Sequence, residues 1–357
     1  MSKKNKIFFI LPNLDAGGAE RVTITIARLL KKESYDVEFI NIGTPVGEMS
    51  DWILPEFKLT SWNLSRTLKA IPRLVKFMKK NQKALFFSSR EHVNMISLLC
   101  ARLSGGKAIV RIPNMPRNVL TKGISGFKMN IIKSLNSWIL KSANTIIAQN
   151  EEMKNQLIDC YHIPKISIKT IYNPIDRDYV LKSAENSINP YDQNECNFLT
   201  VCNVAYSKGI DVLMEAWSEV KKAIPRAHMY VVGRANSDVA KALIEKSHYL
   251  PDFTFVGFQI NPYPYLKFCD TFVLASRMEG FPNVVLEAMC FDKPIATTEC
   301  VEVIEQLITP GKNGYYCEIE NSQALADCMI KASKITEIKN KYELFDKNTL
   351  IDCFMIK

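Results

Sequence analysis

The 357-residue chain lacks the patterns that mark several large protein classes. It has no apolar run near the roughly 18–20 residues that a membrane-spanning helix needs, and the N-terminal run Ile7–Leu11 is too short for a signal peptide. Its ten cysteines form no CxxC pair, which argues against a zinc site and favours reduced thiols in a cytosolic protein. The glycine spacing GxGxxG of dinucleotide-binding oxidoreductases is missing too.

Acidic residues are almost absent from one long stretch. Between Phe57 and Asn150 there are 17 lysines and arginines but a single acid, Glu91, so this stretch carries +16 in a chain whose net charge is +9. Two segments within it, 64–80 and 120–141, combine helically spaced apolar residues with basic ones. Such helices bind anionic membrane surfaces, although a solvated basic face over an ordinary core helix is the alternative. No aromatic-interleaved basic motif indicates a nucleic-acid partner.

The length and the rhythm of the chain predict two domains. Short apolar strands alternate with helical patterns up to Ala148, and the alternation restarts at Asn197. This indicates an α/β fold of two tandem doubly wound (Rossmann-like) domains, each on a parallel sheet. A strand that runs into Asn173-Pro174 marks the expected boundary. We expect domains at 1–174 and 175–341, followed by a C-terminal segment, 342–357.

The most informative motif places two carboxylates, Glu279 and Glu287, eight positions apart around a Gly-Phe-Pro-Asn turn. An apolar run ending at Ser276 predicts a buried strand before it, and a buried helix should follow with Pro282 at its first position. Glu279 would then lie at a helix end that favours anions. Since like charges repel, it suits the hydroxyl groups of a ligand whose phosphates bind the neighbouring amides. Two ordinary solvated glutamates are the alternative.

Two further loops are expected beyond the carboxyl ends of strands, where doubly wound sheets bind ligands. Gly17 and Gly18 precede a helix, and with no side chain in the way their amides can approach a phosphate. Lys208 precedes another helix, which is an unfavourable place for a cation unless an anion binds there. A tight turn and a surface lysine are the alternatives.

Together these motifs resemble the retaining glycosyltransferases of family GT4, which have the GT-B fold. Glu279 to Glu287 matches their EX7E signature, and the Gly17-Gly18 and Lys208 loops are similar to theirs. The resemblance implies transfer of a sugar from a nucleotide-diphosphate sugar. Glu279 would face the sugar and Lys208 would neutralise the leaving diphosphate, as the catalytic residues. The implied donor-binding residues are Gly17, Gly18, Asn203, Arg277, Gly280, Phe281, Pro282, Asn283 and Glu287, the last on the ribose.

The chain departs from the family pattern at two places. Asn203 stands where an arginine commonly supplies a second positive charge, which leaves Arg234 or Arg277 to supply it. On the acceptor side, the loop from Arg111 to Asn114 resembles the family's RxHN loop with proline in the histidine position. We expect Asn114 and His92 on the acceptor side.

No cofactor or metal ion is expected, because no ligand spacing supports one. The lone DxD, 176–178, falls in the predicted linker, where capping or solvated charge explains it better.

The resemblance also implies a division of labour. The first domain would bind the acceptor at the membrane side, the second would bind the donor, and segment 342–357 would pack back on the first. With the basic first half, this suggests a lipid-linked glycan acceptor in surface polysaccharide (capsule) biosynthesis. The protein would be cytoplasmic and peripheral at the inner face of the membrane. The alternatives are a GT-B-type nucleotide-sugar epimerase and a basic nucleic-acid-binding protein.

Overall fold

The computed structural model describes residues 6–15, 17–117 and 127–355, with side chains from 130 onward in the last range. Residues 120–126, the start of the second basic segment, lie outside the described ranges. The chain forms two compact units. One comprises the described residues of Met1–Pro174 together with those of Leu344–Lys357, and the other is Ile175–Glu343. Each is built on one parallel sheet, which confirms the predicted fold class.

The first unit has seven strands in the order β3-β2-β1-β4-β5-β6-β7. The strands are β1 (Lys6–Leu11), β2 (Asp36–Asn41), β3 (Lys58–Ser61), β4 (Leu85–Ser88), β5 (Lys107–Arg111), β6 (Thr145–Ala148) and β7 (Ile168–Thr170). The helices up to this point are α1 (Gly18–Lys32), α2 (Ser50–Ile53), α3 (Ile71–Lys80), α4 (Glu91–Ser104), α5 (Phe127–Leu140) and α6 (Glu151–Tyr161), with short 3₁₀ helices at Thr67–Ala70 and Lys165–Ser167.

Burial on both faces of this sheet explains its apolar strands. Neighbouring side chains of β1 point to opposite faces, and both are covered. Phe8 packs against Phe77 of α3, while Phe9 packs against Phe39 and Phe87. Central strands are therefore mainly apolar, which is why the sequence predicted them. Edge strand β3 was not predicted, because it alternates between exposed and half-buried residues.

The two basic segments of this unit differ in their apolar faces. In α3, Pro72 lies in the first turn, so it begins the helix and does not kink it. Leu74 and Met78 of α3 are fully buried in the core. In α5, by contrast, Leu135 and Trp138 are about half exposed. An apolar face directed outward is thus a feature of α5.

The second unit has six strands in the order β10-β9-β8-β11-β12-β13. The strands are β8 (Cys196–Val201), β9 (Ala227–Val232), β10 (Phe253–Gly257), β11 (Thr271–Leu274), β12 (Ile295–Thr298) and β13 (Gly314–Cys317). The helices are α7 (Arg177–Lys182), α8 (Ile210–Ala223), α9 (Asp238–Ser247), α10 (Tyr263–Phe268), α11 (Asn283–Cys290), α12 (Val303–Leu307) and α13 (Ser322–Ala332), with a 3₁₀ helix at Tyr206–Lys208.

The last helix, α14 (Lys347–Phe354), belongs to the first unit. Its Lys347 forms an ion pair with Glu33 at 2.6 Å, and the ring of Phe354 lies 5.8 Å from that of Phe87. A fully buried aromatic side chain therefore anchors the end of the described chain to the first sheet.

Each sheet has one point at which the strand order reverses. In the first unit it lies between β1 and β4, and in the second between β8 and β11. Chains that leave two such neighbouring strands depart to opposite sides, so a crevice opens between their loops, and ligands of doubly wound sheets bind there. These two switch points hold most of the residues that the motifs singled out.

Candidate active site

The switch point of the second unit brings Lys208 and Glu279 together. Lys208 ends the loop after β8 and Glu279 lies in the loop after β11, and the Lys208 Nζ donates to Glu279 Oε1 at 2.6 Å. The hydroxyl of Ser276 donates to the same oxygen at 2.7 Å. Both side chains remain partly exposed, at 25% and 14%. The site therefore offers an ammonium and a carboxylate, fixed side by side and accessible to a ligand.

The backbone holds these two loops against each other. A Cβ at Gly209, which has φ +60°, would lie 2.0 Å from the carbonyl oxygen of Ala275, so only glycine allows this approach. The amide of Arg277 donates to the carbonyl of Ser207 at 2.8 Å. Since Lys208 and Glu279 flank these contacts, their spacing is set by the main chain.

The environment keeps Lys208 charged. Burial lowers its pKa, but the charge of Glu279 and the hydrogen bond to it outweigh burial, and the net shift of the pKa is upward. Two thiols lie in the same environment. Burial raises the pKa of Cys202 to about 11, and it also raises the pKa of Cys300. The thiols thus stay neutral beside the ion pair.

Arg277 is engaged by protein groups. Its Nη1 and Nη2 donate to the two oxygens of Asp211 at 2.8 and 2.7 Å, and its Nε and Nη2 donate to those of Glu320 at 2.5 and 2.9 Å. Nη1 also donates to the carbonyl of Tyr206 at 2.7 Å. A guanidinium has five N–H donors, so all five are used. Hydrogen bonds from Arg277 lower the pKa of both carboxyls.

The motif after Glu279 forms a turn and the first two turns of α11. The helix begins at Asn283, one residue later than predicted, with Pro282 as its N-cap. Gly280 precedes Phe281, which is 4% exposed, and Glu287 is 5% exposed in the second turn. The two motif carboxylates therefore differ: one is open to the crevice and the other is held in the protein.

The remaining candidates of this unit lie in loops around the same sheet edge. Asn203 is exposed in the loop after β8. The guanidinium of Arg234, after β9, lies 3.7 Å above the ring of Phe258. Asp176 caps α7 by accepting a hydrogen bond from the amide of Tyr179 at 3.1 Å, which confirms the capping explanation for the DxD.

The switch point of the first unit holds a second charge pair, which the sequence did not single out. Glu20, in the first turn of α1, pairs through Oε1 with Nε of Arg90, which follows β4. Glu20 is 2% exposed, whereas the Arg90 side chain is 42% exposed. Gly17 lies against the pair: a Cβ there would be 2.6 Å from Glu20 Oε2 and 3.3 Å from Arg90 Nη2. Gly18 begins α1. An arginine directly after a strand was the signal that could have identified it.

The two acceptor candidates lie close to this point. His92 lies in the first turn of α4, where partial burial, followed by the charge of Arg90, lowers its pKa. Asn114 donates to Glu91 at 2.8 Å. Asn114 and Glu91 line a cavity of about 90 Å³. The walls of this cavity include Glu91, Asn114, Asn136 and Tyr161 among its polar residues and Met95, Ile112, Leu140 and Leu157 among its apolar ones.

Arg111 of the expected acceptor loop is buried. Its guanidinium is 2% exposed and donates to Ser89 at 2.9 Å and to Gln149 and Asn173 at 2.6 Å each. Burial lowers its pKa to about 9, against the raising effect of Glu20. It therefore remains charged at neutral pH and stabilises the sheet edge from inside.

The described residues show no metal-binding cluster: no group of three or more His, Cys, Asp or Glu side chains among them could hold a metal ion. All ten cysteines are free thiols. No helix within the described ranges is long and apolar enough to cross a bilayer.

Family models match both halves of the chain. The model for Glycosyltransferase Family 4 matches residues 16–179, and that for Glycosyl transferases group 1 matches residues 195–334. The chain belongs to the group 1 glycosyltransferases of family GT4. It is therefore a glycosyltransferase, which replaces the alternatives of an epimerase and a nucleic-acid-binding protein.

Two curated relatives of this glycosyltransferase cover most of its length. An uncharacterized glycosyltransferase of Haemophilus influenzae is 26% identical over 335 residues, 89% of this chain and 87% of the relative. N-acetylgalactosamine-N,N'-diacetylbacillosaminyl-diphospho-undecaprenol 4-alpha-N-acetylgalactosaminyltransferase of Campylobacter jejuni is 23% identical over 364 residues, 96% of each chain.

Solved structures share its architecture. HepE of Anabaena, in complex with UDP and glucose, superposes with a TM-score of 0.75 at 17% identity and covers 98% of this chain and 97% of its own. TarM of Staphylococcus aureus superposes with a TM-score of 0.71 at 12% identity over 98% and 94%. These likenesses show the GT-B fold of the glycosyltransferase.

Proposed function

We propose that the chain moves a sugar, with retention of its anomeric configuration, from a nucleotide-diphosphate sugar to a lipid-linked glycan in the assembly of a cell-surface polysaccharide. The observation that carries this proposal is the Lys208–Glu279 pair at the switch point of the second unit. The names of two relatives support the proposed acceptor. The Campylobacter jejuni relative acts on a diphospho-undecaprenol-linked sugar, and CapM of Staphylococcus aureus is named for capsular polysaccharide biosynthesis.

The second unit would bind the donor. The ammonium of Lys208 stabilises the negative charge that develops on the leaving diphosphate. Gly17 and Gly18, where α1 of the first unit begins, would bind a phosphate through their backbone amides. Glu287 would hold the ribose, and Asn203 and the residues 280–283 would line the donor. We expect the step to proceed without a metal ion, because an ammonium and backbone amides stabilise the negative charge of the diphosphate.

Glu279 would face the transferred sugar. Its carboxylate is held by Lys208 and Ser276 through one oxygen, Oε1. A fixed negative charge there stabilises the positive charge that the sugar ring acquires as its bond to the diphosphate breaks. With the acceptor attacking from the side of the departing phosphate, the product keeps the anomeric configuration.

The first unit would bind the acceptor. The cavity beside Asn114 has apolar walls with amide and carboxylate groups, a lining suited to a sugar that has both apolar and hydroxyl-bearing faces. His92 follows Glu91, a wall residue of this cavity, in the first turn of α4. Because burial and Arg90 lower the pKa of His92, the imidazole is neutral at physiological pH and can accept a proton or a hydrogen bond from an acceptor hydroxyl.

The membrane contact would be the outward face of α5. Ile131, Leu135 and Trp138 are exposed there at 51%, 52% and 47%, and their spacing places them on one side of the helix. Arg102 of α4 lies 4.5 Å from the Trp138 ring. An apolar stripe with cations beside it matches the interface of an anionic bilayer. By contrast, α3 would contribute charge alone, since its apolar face is buried.

A thermal-shift screen tests the donor. The purified protein is heated with UDP, GDP, ADP or CMP, with and without EDTA. Saturation at about 100 times the dissociation constant stabilises a protein by roughly 2.7 kcal/mol. We expect one nucleotide to stabilise the protein equally with and without EDTA. Stabilisation that EDTA removes would contradict a donor site without a metal ion. If no nucleotide stabilises the protein, the proposal of a nucleotide-diphosphate sugar as the donor is contradicted.

Vesicle sedimentation tests the membrane contact. Replacing Ile131, Leu135 and Trp138 with serine should weaken binding to phosphatidylglycerol vesicles by about tenfold or more, because the buried apolar area is lost. The matched control is Lys79→Gln with Lys80→Gln on α3, both exposed, which should weaken binding less. Equal binding by the serine variant and the unmodified protein would rule out the α5 face.

A further inference from the structure

We propose that Arg90, held in place by buried Glu20, binds a diphosphate group at the switch point of the first unit. This inference rests on the proposed function, which needs positive charge for diphosphates but has Lys208 as its one assigned cation. It adds a binding residue in the first unit that the family motif does not predict.

The geometry gives Arg90 a fixed direction. Its Nε pairs with Glu20 Oε1, so the inner edge of the guanidinium is occupied by a carboxylate that is 2% exposed. The Arg90 side chain itself is 42% exposed, and Nη2 lies 3.3 Å from the point where a Gly17 Cβ would be. The outer edge of the guanidinium thus lies beside the Gly17-Gly18 turn, where the first amides of α1 begin.

The electrostatics favour an anion at this point in spite of Glu20. The charges of Glu20 and Arg90 cancel, and Arg111 adds a positive charge that interacts with Glu20 from inside the sheet edge. The first turn of the 15-residue α1 adds amide donors, and no side chain among the described residues caps it at Gly17. Glu20 Oε2 is buried and has no hydrogen-bond partner among the described residues. A hydroxyl next to a bound phosphate could donate to it.

The other candidate cations are committed elsewhere. All five N–H donors of Arg277 are taken by Asp211, Glu320 and a carbonyl. Arg234 stacks on Phe258, and Arg111 is 2% exposed. Arg90 combines a preorganised planar fork with exposure, and such a fork matches the oxygens of a phosphate.

Two molecules of the proposed reaction carry a diphosphate, the nucleotide donor and the lipid-linked acceptor. The chemistry that Arg90 recognises is the same in both. The experiment therefore measures them separately, and it starts only when the thermal-shift screen has identified a nucleoside diphosphate that stabilises the unmodified protein. Failure of that screen is a failure of the proposed function, not of this inference.

The test uses Arg90→Gln, with the dissociation constants of that nucleoside diphosphate, its parent nucleoside and inorganic pyrophosphate measured by calorimetry. Loss of one charge-assisted contact should weaken nucleoside diphosphate and pyrophosphate binding by about ten- to a hundredfold, with nucleoside binding unchanged. If Arg90 binds the diphosphate of the acceptor, the dissociation constants measured by calorimetry for Arg90→Gln stay unchanged. In that case the KM for a diphospho-lipid acceptor rises by a similar factor, while the KM for the same glycan without diphosphate does not.

Two further variants keep the test decisive. Arg90→Gln leaves a buried carboxylate without its cation, which destabilises the fold, so the double variant Glu20→Gln, Arg90→Gln removes both charges and should show the same binding loss. Lys32→Gln, which removes one exposed positive charge from the last turn of α1, should bind like the unmodified protein. Unchanged diphosphate binding and unchanged acceptor KM in the folded double variant would overturn the proposal. An equally large loss in Lys32→Gln would also overturn it, because net charge alone would then explain the effect.

Discussion

The two switch points of the chain contain the same kind of pair in opposite arrangement. In the first unit the helix after the first strand carries the acid, Glu20, and the loop after the neighbouring strand carries the cation, Arg90. In the second unit the cation, Lys208, comes first and the acid, Glu279, second. In the first pair the acid is buried and the cation is open, whereas in the second both are partly exposed. The strand order of each sheet determines where the crevice lies. The side chain that is exposed in that crevice determines which ligand groups it can bind.

The loops are also held by different means. Around Gly209 the main chains of two loops touch, because a Cβ there would be 2.0 Å from the Ala275 carbonyl oxygen. At Gly17 the nearest atom to a Cβ is a side-chain oxygen of Glu20, at 2.6 Å. The main chain therefore sets the spacing of the second unit's pair, whereas the ion pair itself sets the spacing of the first unit's. This suits a catalytic role for the second unit's pair and a binding role for the first unit's.

The largest effect should come from the exposed acid of the second unit. Glu279→Gln keeps the shape of the side chain but removes the charge that faces the sugar, so the transfer rate should fall about 10²- to 10³-fold. Nucleotide affinity should change little. Radiolabelled sugar transfer and calorimetric nucleotide binding measure the two quantities. A parallel loss of both would mean that Glu279 holds the donor and takes no part in transfer.

A glycine exchange compares the two ways of holding a loop. Gly209→Ala adds a methyl against a main-chain oxygen at φ +60°, which should cost about 2–4 kcal/mol of unfolding free energy and lower transfer. Gly17→Ala, with φ −158° and a side-chain carboxylate as its nearest neighbour, should cost about 1 kcal/mol. Urea unfolding measures both variants. Equal costs would remove the distinction drawn between the two switch points.

The smallest effect separates positioning from binding at Arg277. Arg277→Lys loses the planar fork that joins Asp211 to Glu320, so we expect about 2 kcal/mol of destabilisation and a fall in Tm of about 5 °C. Nucleotide affinity should stay within twofold. The matched variant Asp211→Asn breaks the same contact from the other side and should behave alike. A tenfold weaker nucleotide affinity for Arg277→Lys alone would support Arg277 as a donor-binding residue.

Much of the architecture could be predicted because its causes are local. Strands buried on both faces are mainly apolar, so β1, β6 and β11 stand out among charged helices. Three strands were not predicted: β3 and β12 have at most two consecutive apolar residues, and β13 begins with glycine. Only the neighbouring strands of the sheet make strands of such segments.

The sequence by itself determined the two doubly wound units and the loops that hold Lys208 and Glu279, because these depend on periodicity and on short motifs. Only the tertiary structure decided which groups the arginines contact and which of them are exposed. Arg277 stands two positions before Glu279, yet Asp211 and Glu320, 66 and 43 positions away, take its N–H donors. Arg111 is buried among amide groups, and Arg90 reaches the surface beside Gly17. The role of each arginine depends on the residues that pack around it. Those residues are distant in the sequence, so the local sequence around the arginine does not reveal them.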